Sequence, residues 1–156
     1  MRKSLRGGFF ITPLSNLLTG GKVAHMERKI RILMAKLGLD IHWRGVYLVS
    51  QFLKEAGMEV IYIGNKFPEQ IVEAAIEEDV DVIGLSTLSG NHLTLGPKVV
   101  NLLKEEGADN IKVVIGGTIP PKHIPILKDK GLQEIYGPDT PMEFIVDGIR
   151  QLVPIN

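Results

Sequence analysis

From residue 29 onward, two kinds of apolar pattern alternate along the chain. Short runs rich in Val, Ile and Leu predict buried strands, and longer stretches whose apolar residues recur every three or four positions predict amphipathic helices. The predicted strands are 30–35, 58–63, 80–85, 111–115 and 132–136. The predicted helices, each following one strand, are 45–57, 68–79, 93–106, 121–130 and 141–152, the last with Thr140 as N-cap and Pro141 as first helical residue.

This alternation of strands and helices predicts an α/β fold with a parallel sheet. The third strand, 80–85, is nearly all apolar, which is typical of a central strand covered on both faces. Right-handed crossovers then give a flavodoxin-like, doubly wound sheet of five parallel strands in the order 2-1-3-4-5. In that order the first and third strands lie side by side, and ligands bind between their carboxyl ends.

The composition excludes several classes of partner and site. Eighteen Lys and Arg balance 18 Asp and Glu, so charge gives no reason to expect nucleic acid or an anionic membrane as partner. No apolar run approaches the ~20 residues that span a bilayer. The chain has no cysteine, so any metal must be held by His, carboxylate or carbonyl groups. Absence of disulfides also fits a cytoplasmic protein.

Asp40-x-His42-x-x-Gly45 lies between the first predicted strand and the first predicted helix. A histidine at the carboxyl end of this strand is placed at the ligand-binding edge of the sheet. An aspartate two residues earlier can hold one ring nitrogen and leave the other free for a metal. Taken alone, the pattern fits equally well a helix-capping Asp40 and a surface His42.

Two further motifs follow at the ends of other strands. Ser86-x-Leu88 ends the third strand, and Gly116-Gly117 ends the fourth. With the flanking segments 36–40, 79–95 and 116–121, these motifs make the chain, from about residue 29 to 151, resemble the cobalamin-binding domain of the methylmalonyl-CoA mutase family. We therefore expect a cobalamin-binding domain over residues 29–156.

Residues 1–28 are expected to form a flexible N-terminal arm. Two interpretations are open: an arm that packs on a partner subunit, or an extension upstream of a start at Met26. A secretory signal is disfavoured because Pro13, Ser15 and Asn16 interrupt the apolar stretch.

The resemblance implies a role for each residue of the first motif. His42 would coordinate cobalt on the lower face of the corrin and displace the cofactor's own dimethylbenzimidazole. Asp40 would accept the proton on the other ring nitrogen and so fix the tautomer. Lys36 would contact the aspartate and extend the relay, the alternative being a solvated lysine at a strand end. Catalysis is thus expected to involve Lys36, Asp40 and His42, with His42 as the one metal ligand.

The resemblance also implies a narrow slot for the cofactor's nucleotide tail. Gly45 would let the first helix approach closely, and the Ser86 hydroxyl would bond the buried benzimidazole nitrogen. Gly116 and Gly117 would let the backbone run against the tail without a Cβ in the way. The other residues expected at the slot are Leu88, Ser89, Gly90, Tyr136 and Gly137.

The chain departs from the family at two loop positions. Ile41 stands where the family commonly has glycine, and Trp43 where it has a small or acidic residue. A β-branched residue disfavours a positive φ, so this loop cannot copy a conformation that needs glycine at position 41. Trp43 is expected to project near the corrin or a partner.

In the resembled mutases, adenosylcobalamin is held between this domain and a (β/α)8 barrel that binds acyl-CoA. A barrel takes ~250 residues, more than this chain has. The resemblance therefore implies the small subunit of an adenosylcobalamin-dependent acyl-CoA mutase of the methylmalonyl-CoA/succinyl-CoA type, an isomerase active only with its large subunit. A cofactor-loading GTPase chaperone is a second expected partner. Isobutyryl, ethylmalonyl and hydroxyisobutyryl substrates stay open.

Four alternatives are weighed against this interpretation. The small subunit of glutamate mutase shares the fold and first motif, but residues 89–95 favour the acyl-CoA mutases. A non-catalytic cobalamin carrier or sensor is compatible with the sequence. A corrinoid methyl carrier is disfavoured because residues 1–28 leave no room for its helical cap. An FMN-binding flavodoxin is disfavoured because no phosphate-binding loop follows the first strand.

Overall fold

A computed structural model gives the fold of residues 27–155, so the predicted arm lies almost wholly outside the described residues. The strands are β1 (Arg31–Leu37), β2 (Glu59–Lys66), β3 (Val82–Thr87), β4 (Lys112–Gly117) and β5 (Glu134–Tyr136). The helices are α1 (Arg44–Glu55), α2 (Pro68–Glu77), α3 (His92–Glu105), α4 (Ile124–Asp129) and α5 (Met142–Leu152). A 3₁₀ turn, Pro121–His123, precedes α4.

The strands form one parallel sheet in the order β2-β1-β3-β4-β5, which confirms the predicted architecture. Lys36 of β1 pairs with Ser86 of β3, and Ser86 pairs with Gly116 of β4. The carboxyl ends of these three strands therefore meet at one edge of the sheet. The loops that follow them carry the three motifs.

The five helices cover the two faces of the sheet unequally. Helices α2, α3 and α4 pack on one face against alternate residues of β1, such as Leu33 and Leu37. Helices α1 and α5 pack on the other, against Ile32 and Met34. We call these the α2–α4 face and the α1/α5 face. None of the helices in the described part of the chain is long and apolar enough to cross a membrane.

Three predicted boundaries were wrong for identifiable reasons. β1 continues to Leu37 because its last residues still pair with the ends of both neighbouring strands. The fifth strand is shorter than predicted because it is an edge strand that pairs only with β4. Pro141 is the N-cap of α5 rather than its first helical residue, since its ψ of 142° is extended.

The pairing of β1 with β2 is irregular near the carboxyl edge. Met34 pairs with Tyr62, but the next pair is Lys36 with Asn65, so β2 carries one extra residue. Gly64 lies at this point with φ of 73°, a conformation that favours glycine. The resulting bulge turns the end of β2 relative to β1.

Candidate functional site

Asp40 and His42 form a tight pair in the loop between β1 and α1. His42 Nδ1 lies 2.9 Å from Asp40 Oδ1, and the His42 backbone N–H donates to the same oxygen at 2.8 Å. The Asp40 side chain is 1% exposed, whereas that of His42 is 55% exposed. An ionised carboxylate on Nδ1 places the ring proton there, so Nε2 presents its lone pair outward.

The Asp40 carboxylate is also fixed from β3. Its Oδ2 accepts the backbone N–H of Leu88 at 2.6 Å. Burial acts to raise the pKa of Asp40, but donation from Leu88, from the backbone and ring of His42 and from Ser89 outweighs it, and the pKa lies below the ordinary aspartate value. Asp40 is therefore an anion held in place by the same loop that carries Leu88.

A cavity of about 270 Å³ opens beside this pair, between α1, α5 and the sheet. Its wall is mostly apolar, as is usual for small-molecule sites. It brings together eight residues predicted from sequence: His42, Gly45, Ser86, Leu88, Gly116, Gly117, Tyr136 and Gly137.

The glycines around the cavity have different physical roles. At Gly45 and Gly137, apart from the chain neighbours and the backbone of Gly45's own helix, no atom of residues 27–155 lies within 4 Å of where a Cβ would be, so each leaves room in the cavity. The expectation that Gly45 lets the first helix lie close to the nucleotide tail stays a prediction. A Cβ at Gly116 would make only ordinary contact, 3.6 Å from Tyr136 O. A Cβ at Gly117 would overlap the backbone of Thr87, so the neighbouring strand requires this glycine.

Four predicted residues lie outside the cavity wall: Asp40, which contacts the His42 ring, and Lys36, Ser89 and Gly90. Lys36 is 5% exposed, which rules out a solvated strand-end lysine. Among the described residues it forms no hydrogen bond or ion pair with Asp40 either, so the predicted relay contact is absent. Ser89 and Gly90 are exposed in the loop after β3, and Ser89 acts through Asp40 rather than on the cavity.

The sequence interpretation missed part of the wall. Gly84, in the middle of β3, lines the cavity, and a Cβ there would overlap Met34 Sδ. A glycine inside a central strand is a signal of close approach that could have been used. Helix residues Val49, Leu53, Ile145 and Ile149 add apolar wall, but helical periodicity alone cannot separate them from core residues.

Tyr136, at the end of β5, lines the cavity with a polar group that lacks a partner. Its buried hydroxyl has no hydrogen-bond partner within residues 27–155. Burial, with the charge of Glu134, raises the pKa of Tyr136 to about 12. The hydroxyl therefore stays protonated at neutral pH and is a buried polar group without a partner among these residues.

The two residues that depart from the family pattern, Ile41 and Trp43, do not strain the backbone of the loop. Ile41 does not adopt a positive φ, and its side chain is 86% exposed. Trp43 is more than half exposed and meets Tyr47 edge to face, with ring centroids 6.1 Å apart. The loop thus takes a conformation that does not need glycine at position 41.

His92 and His123 pair with each other away from the cavity. His92 Nε2 lies 2.9 Å from His123 Nδ1, and His92 is buried. Burial, together with His123, lowers the pKa of His92. Neither ring lines the cavity, so this pair stands apart from the Asp40–His42 site.

Comparison with known proteins finds a family and relatives that are similar to this chain in sequence. The B12 binding domain family matches residues 30–151. The 2-hydroxyisobutanoyl-CoA mutase small subunit of Aquincola tertiaricarbonis is 48% identical over 128 residues, 81% of this chain and 94% of that protein. The methylmalonyl-CoA mutase of Escherichia coli is 41% identical over 133 residues, 84% of this chain but 18% of that protein.

A solved structure agrees with the sequence matches. A cobalamin-binding protein from Desulfitobacterium hafniense superposes with a TM-score of 0.68 and 25% identity, over 80% of this chain and 59% of that one. The matched segment and the segment predicted from motifs nearly coincide.

Proposed function

The chain belongs to the B12 binding domain family, and from this premise we propose that it is the cobalamin-binding small subunit of an adenosylcobalamin-dependent acyl-CoA mutase. The observation that carries the proposal is the Asp40–His42 pair at the mouth of an apolar cavity. A relative named as a mutase small subunit, of which this chain covers 94%, supports the subunit assignment.

In this proposal His42 Nε2 would hold the cobalt of the cofactor. Neutral imidazole is a good ligand for a transition metal, and the ring needs its proton on Nδ1 to keep Nε2 free. Asp40 supplies that condition, since its buried carboxylate accepts from Nδ1 at 2.9 Å. The same hydrogen bond makes Nε2 a stronger donor to the metal.

The cavity is proposed to hold the nucleotide tail. Its residues fit such a group because Gly45 and Gly137 leave space that a Cβ would fill, and Tyr136 offers a hydroxyl without a partner. Ser86 lies on the same wall and offers a second hydroxyl. Leu88, Gly116 and Gly117 complete the wall.

When bound, adenosylcobalamin supplies the carbon-centred radical chemistry that acyl-CoA rearrangement needs. This chain holds and orients the cofactor: His42 faces the metal side and the cavity excludes water from the tail. Residues 27–155 form one sheet and the helices that cover it. The acyl-CoA site is therefore proposed to lie on a large subunit with a (β/α)8 barrel, which closes the other side of the cofactor.

The substrate is proposed to be a short branched acyl-CoA. Methylmalonyl-CoA is the form suggested by the motifs, and the most extensively covered relative reported above is named for 2-hydroxyisobutanoyl-CoA. Both are candidates because the substrate pocket would be on the partner. A cytoplasmic location and loading by a GTPase chaperone complete the proposal, the first supported by the absence of cysteine.

Reconstitution tests the proposal. The chain is assayed with adenosylcobalamin and each of the two acyl-CoA substrates, alone and with the candidate barrel subunit. We expect turnover only with the barrel subunit, and a large loss with His42→Ala. Turnover by the chain alone would refute the subunit assignment. Tight cobalamin binding without turnover alongside any barrel subunit would instead favour a carrier or sensor.

A further inference from the structure

Two asparagines, Asn65 in β2 and Asn91 at the N-cap of α3, donate to backbone carbonyls at the end of β1 and in the loop that carries Asp40 and His42. We propose that Asn65 and Asn91 form a clamp that positions the Asp40–His42 pair, so that the ring keeps the tautomer and direction needed by a metal. The inference deepens the proposed function and rests on it for the metal. The clamp itself can be tested without cofactor.

Asn65 binds the loop from β2. Its Nδ2 donates to Asp40 O at 2.6 Å and to Gly38 O at 3.0 Å. The backbone adds a third link from the same strand, because Gly38 N–H donates to Lys66 O at 2.8 Å. The backbone on both sides of position 39 is therefore tied to the end of β2.

The bulge in β2 explains why Asn65 can reach the loop. The extra residue at Gly64 shifts the register, and Asn65 rather than Gly64 pairs with Lys36. Bulges beside functional sites commonly re-aim one side chain. Here the re-aimed side chain is an amide whose two N–H groups match two free carbonyls.

Asn91, the N-cap residue of α3, binds the last residue of β1. Its Nδ2 donates to Leu37 O at 2.9 Å, while its Oδ1 accepts the hydroxyl of the buried Thr87 at 2.6 Å. The Leu37 carbonyl can only accept, so it fixes which end of the Asn91 amide faces it, and Thr87 donates to the other end. Gly38 is required for this approach, since a Cβ there would lie 3.0 Å from Asn91 Nδ2 and its φ is 69°.

The Asp40 side chain is buried, but the loop has no apolar side chain that could anchor it at positions 39 and 41. Leu39 and Ile41 are 81% and 86% exposed, so neither anchors the loop in the core. Hydrogen bonds to the carbonyls of Leu37, Gly38 and Asp40 hold the backbone instead. This accounts for a loop that keeps its shape with isoleucine at position 41.

The first test uses the chain without cofactor. Nitrogen-15 NMR of the labelled imidazole of His42 reports the tautomer, and the wild type is expected to favour the Nδ1–H form. Asn65→Asp keeps the side-chain size but removes the donor, and Asn91→Ala removes the second arm. Each should lower the ratio of the Nδ1–H to the Nε2–H form by roughly 3- to 10-fold, the equivalent of one net hydrogen bond partly shared with water.

Asn101→Ala is the matched control, because Asn101 is exposed on α3. The second readout is cobalamin affinity, expected to fall about 3- to 10-fold in the two clamp variants and to stay unchanged in the control. An unchanged tautomer ratio in both clamp variants would overturn the inference, even if thermal stability fell. If the two clamp variants change the tautomer ratio but the wild-type chain binds no cobalamin, the proposed function would be wrong while the clamp would still be supported.

Discussion

The two faces of the sheet differ in how completely side chains fill the space beneath their helices. Within residues 27–155, 18 buried apolar residues form one continuous cluster on the α2–α4 face. On the α1/α5 face the cluster has 11, and a cavity of about 270 Å³ takes the place of further packing. Both faces are covered by amphipathic helices, so the difference lies in what fills the space between helix and strand.

This difference separates stability from binding within one small domain. The filled face supplies hydrophobic burial, which scales with the apolar area removed from water. The α1/α5 face buries less apolar area because it has glycine at positions 45, 84 and 137. Larger side chains there would fill the cavity or crowd its wall. Substitutions on the two faces should therefore have opposite signatures.

The largest effect on stability is expected on the filled face. Leu103 of α3 is 2% exposed, and Leu103→Ala should lower the free energy of unfolding by about 2–5 kcal/mol. Leu39→Ala, at an 81% exposed position, should change it by less than about 0.5 kcal/mol. Chemical denaturation of both variants measures the difference. Equal losses would mean that the α2–α4 face is not the tightly packed one.

The site loop should show the reverse signature. Asp40→Asn is expected to weaken cobalamin binding by ~10–100-fold, because it removes the anion that fixes the His42 ring. Asp109→Asn, in an exposed turn, is the control. Cobalamin titration and thermal melting are measured together. Unchanged affinity would remove Asp40 from the site.

A pair of glycine substitutions compares the faces directly. Gly45→Ala and Gly96→Ala both replace a helical glycine, which should raise stability by up to about 1 kcal/mol. Only Gly45 borders the cavity, whereas a Cβ at Gly96 would touch Ile115 at 3.6 Å on the filled face. We expect weaker cobalamin binding for Gly45→Ala alone. The same affinity in both variants would show that the tail does not pass Gly45.

The smallest effect is a pH dependence at the cavity. The pKa of Tyr136 is raised to about 12 from an ordinary 10.0, so the folded chain holds this proton more tightly than the unfolded chain does. Stability from this group is complete below pH 10 and is lost as pH rises toward 12. Tyr136→Phe should flatten the fall in stability over this interval, as followed by urea denaturation. An equally steep fall in the variant would exclude Tyr136 as its source.

The sequence was sufficient to predict features that depend on a regular repeat or on residues close together in the chain. Strand and helix alternation predicted the sheet, and the two-residue spacing of Asp40 and His42 predicted their hydrogen bond. The Lys36 contact failed because a buried side chain's direction depends on packing around it. The role of Asn65 could not be predicted, because it depends on one extra residue in β2 that only strand register reveals.

The proposed binding of cobalt by His42 is tested most directly by identifying the nitrogen on cobalt. The chain is labelled with nitrogen-15 histidine, loaded with cobalamin and reduced to the paramagnetic Co(II) form, and hyperfine coupling is measured by electron paramagnetic resonance. We expect coupling to one histidine nitrogen in the wild type and its loss in His42→Ala. Coupling that persists in His42→Ala, or a wild type coupled to the benzimidazole nitrogen instead, would contradict the proposed binding.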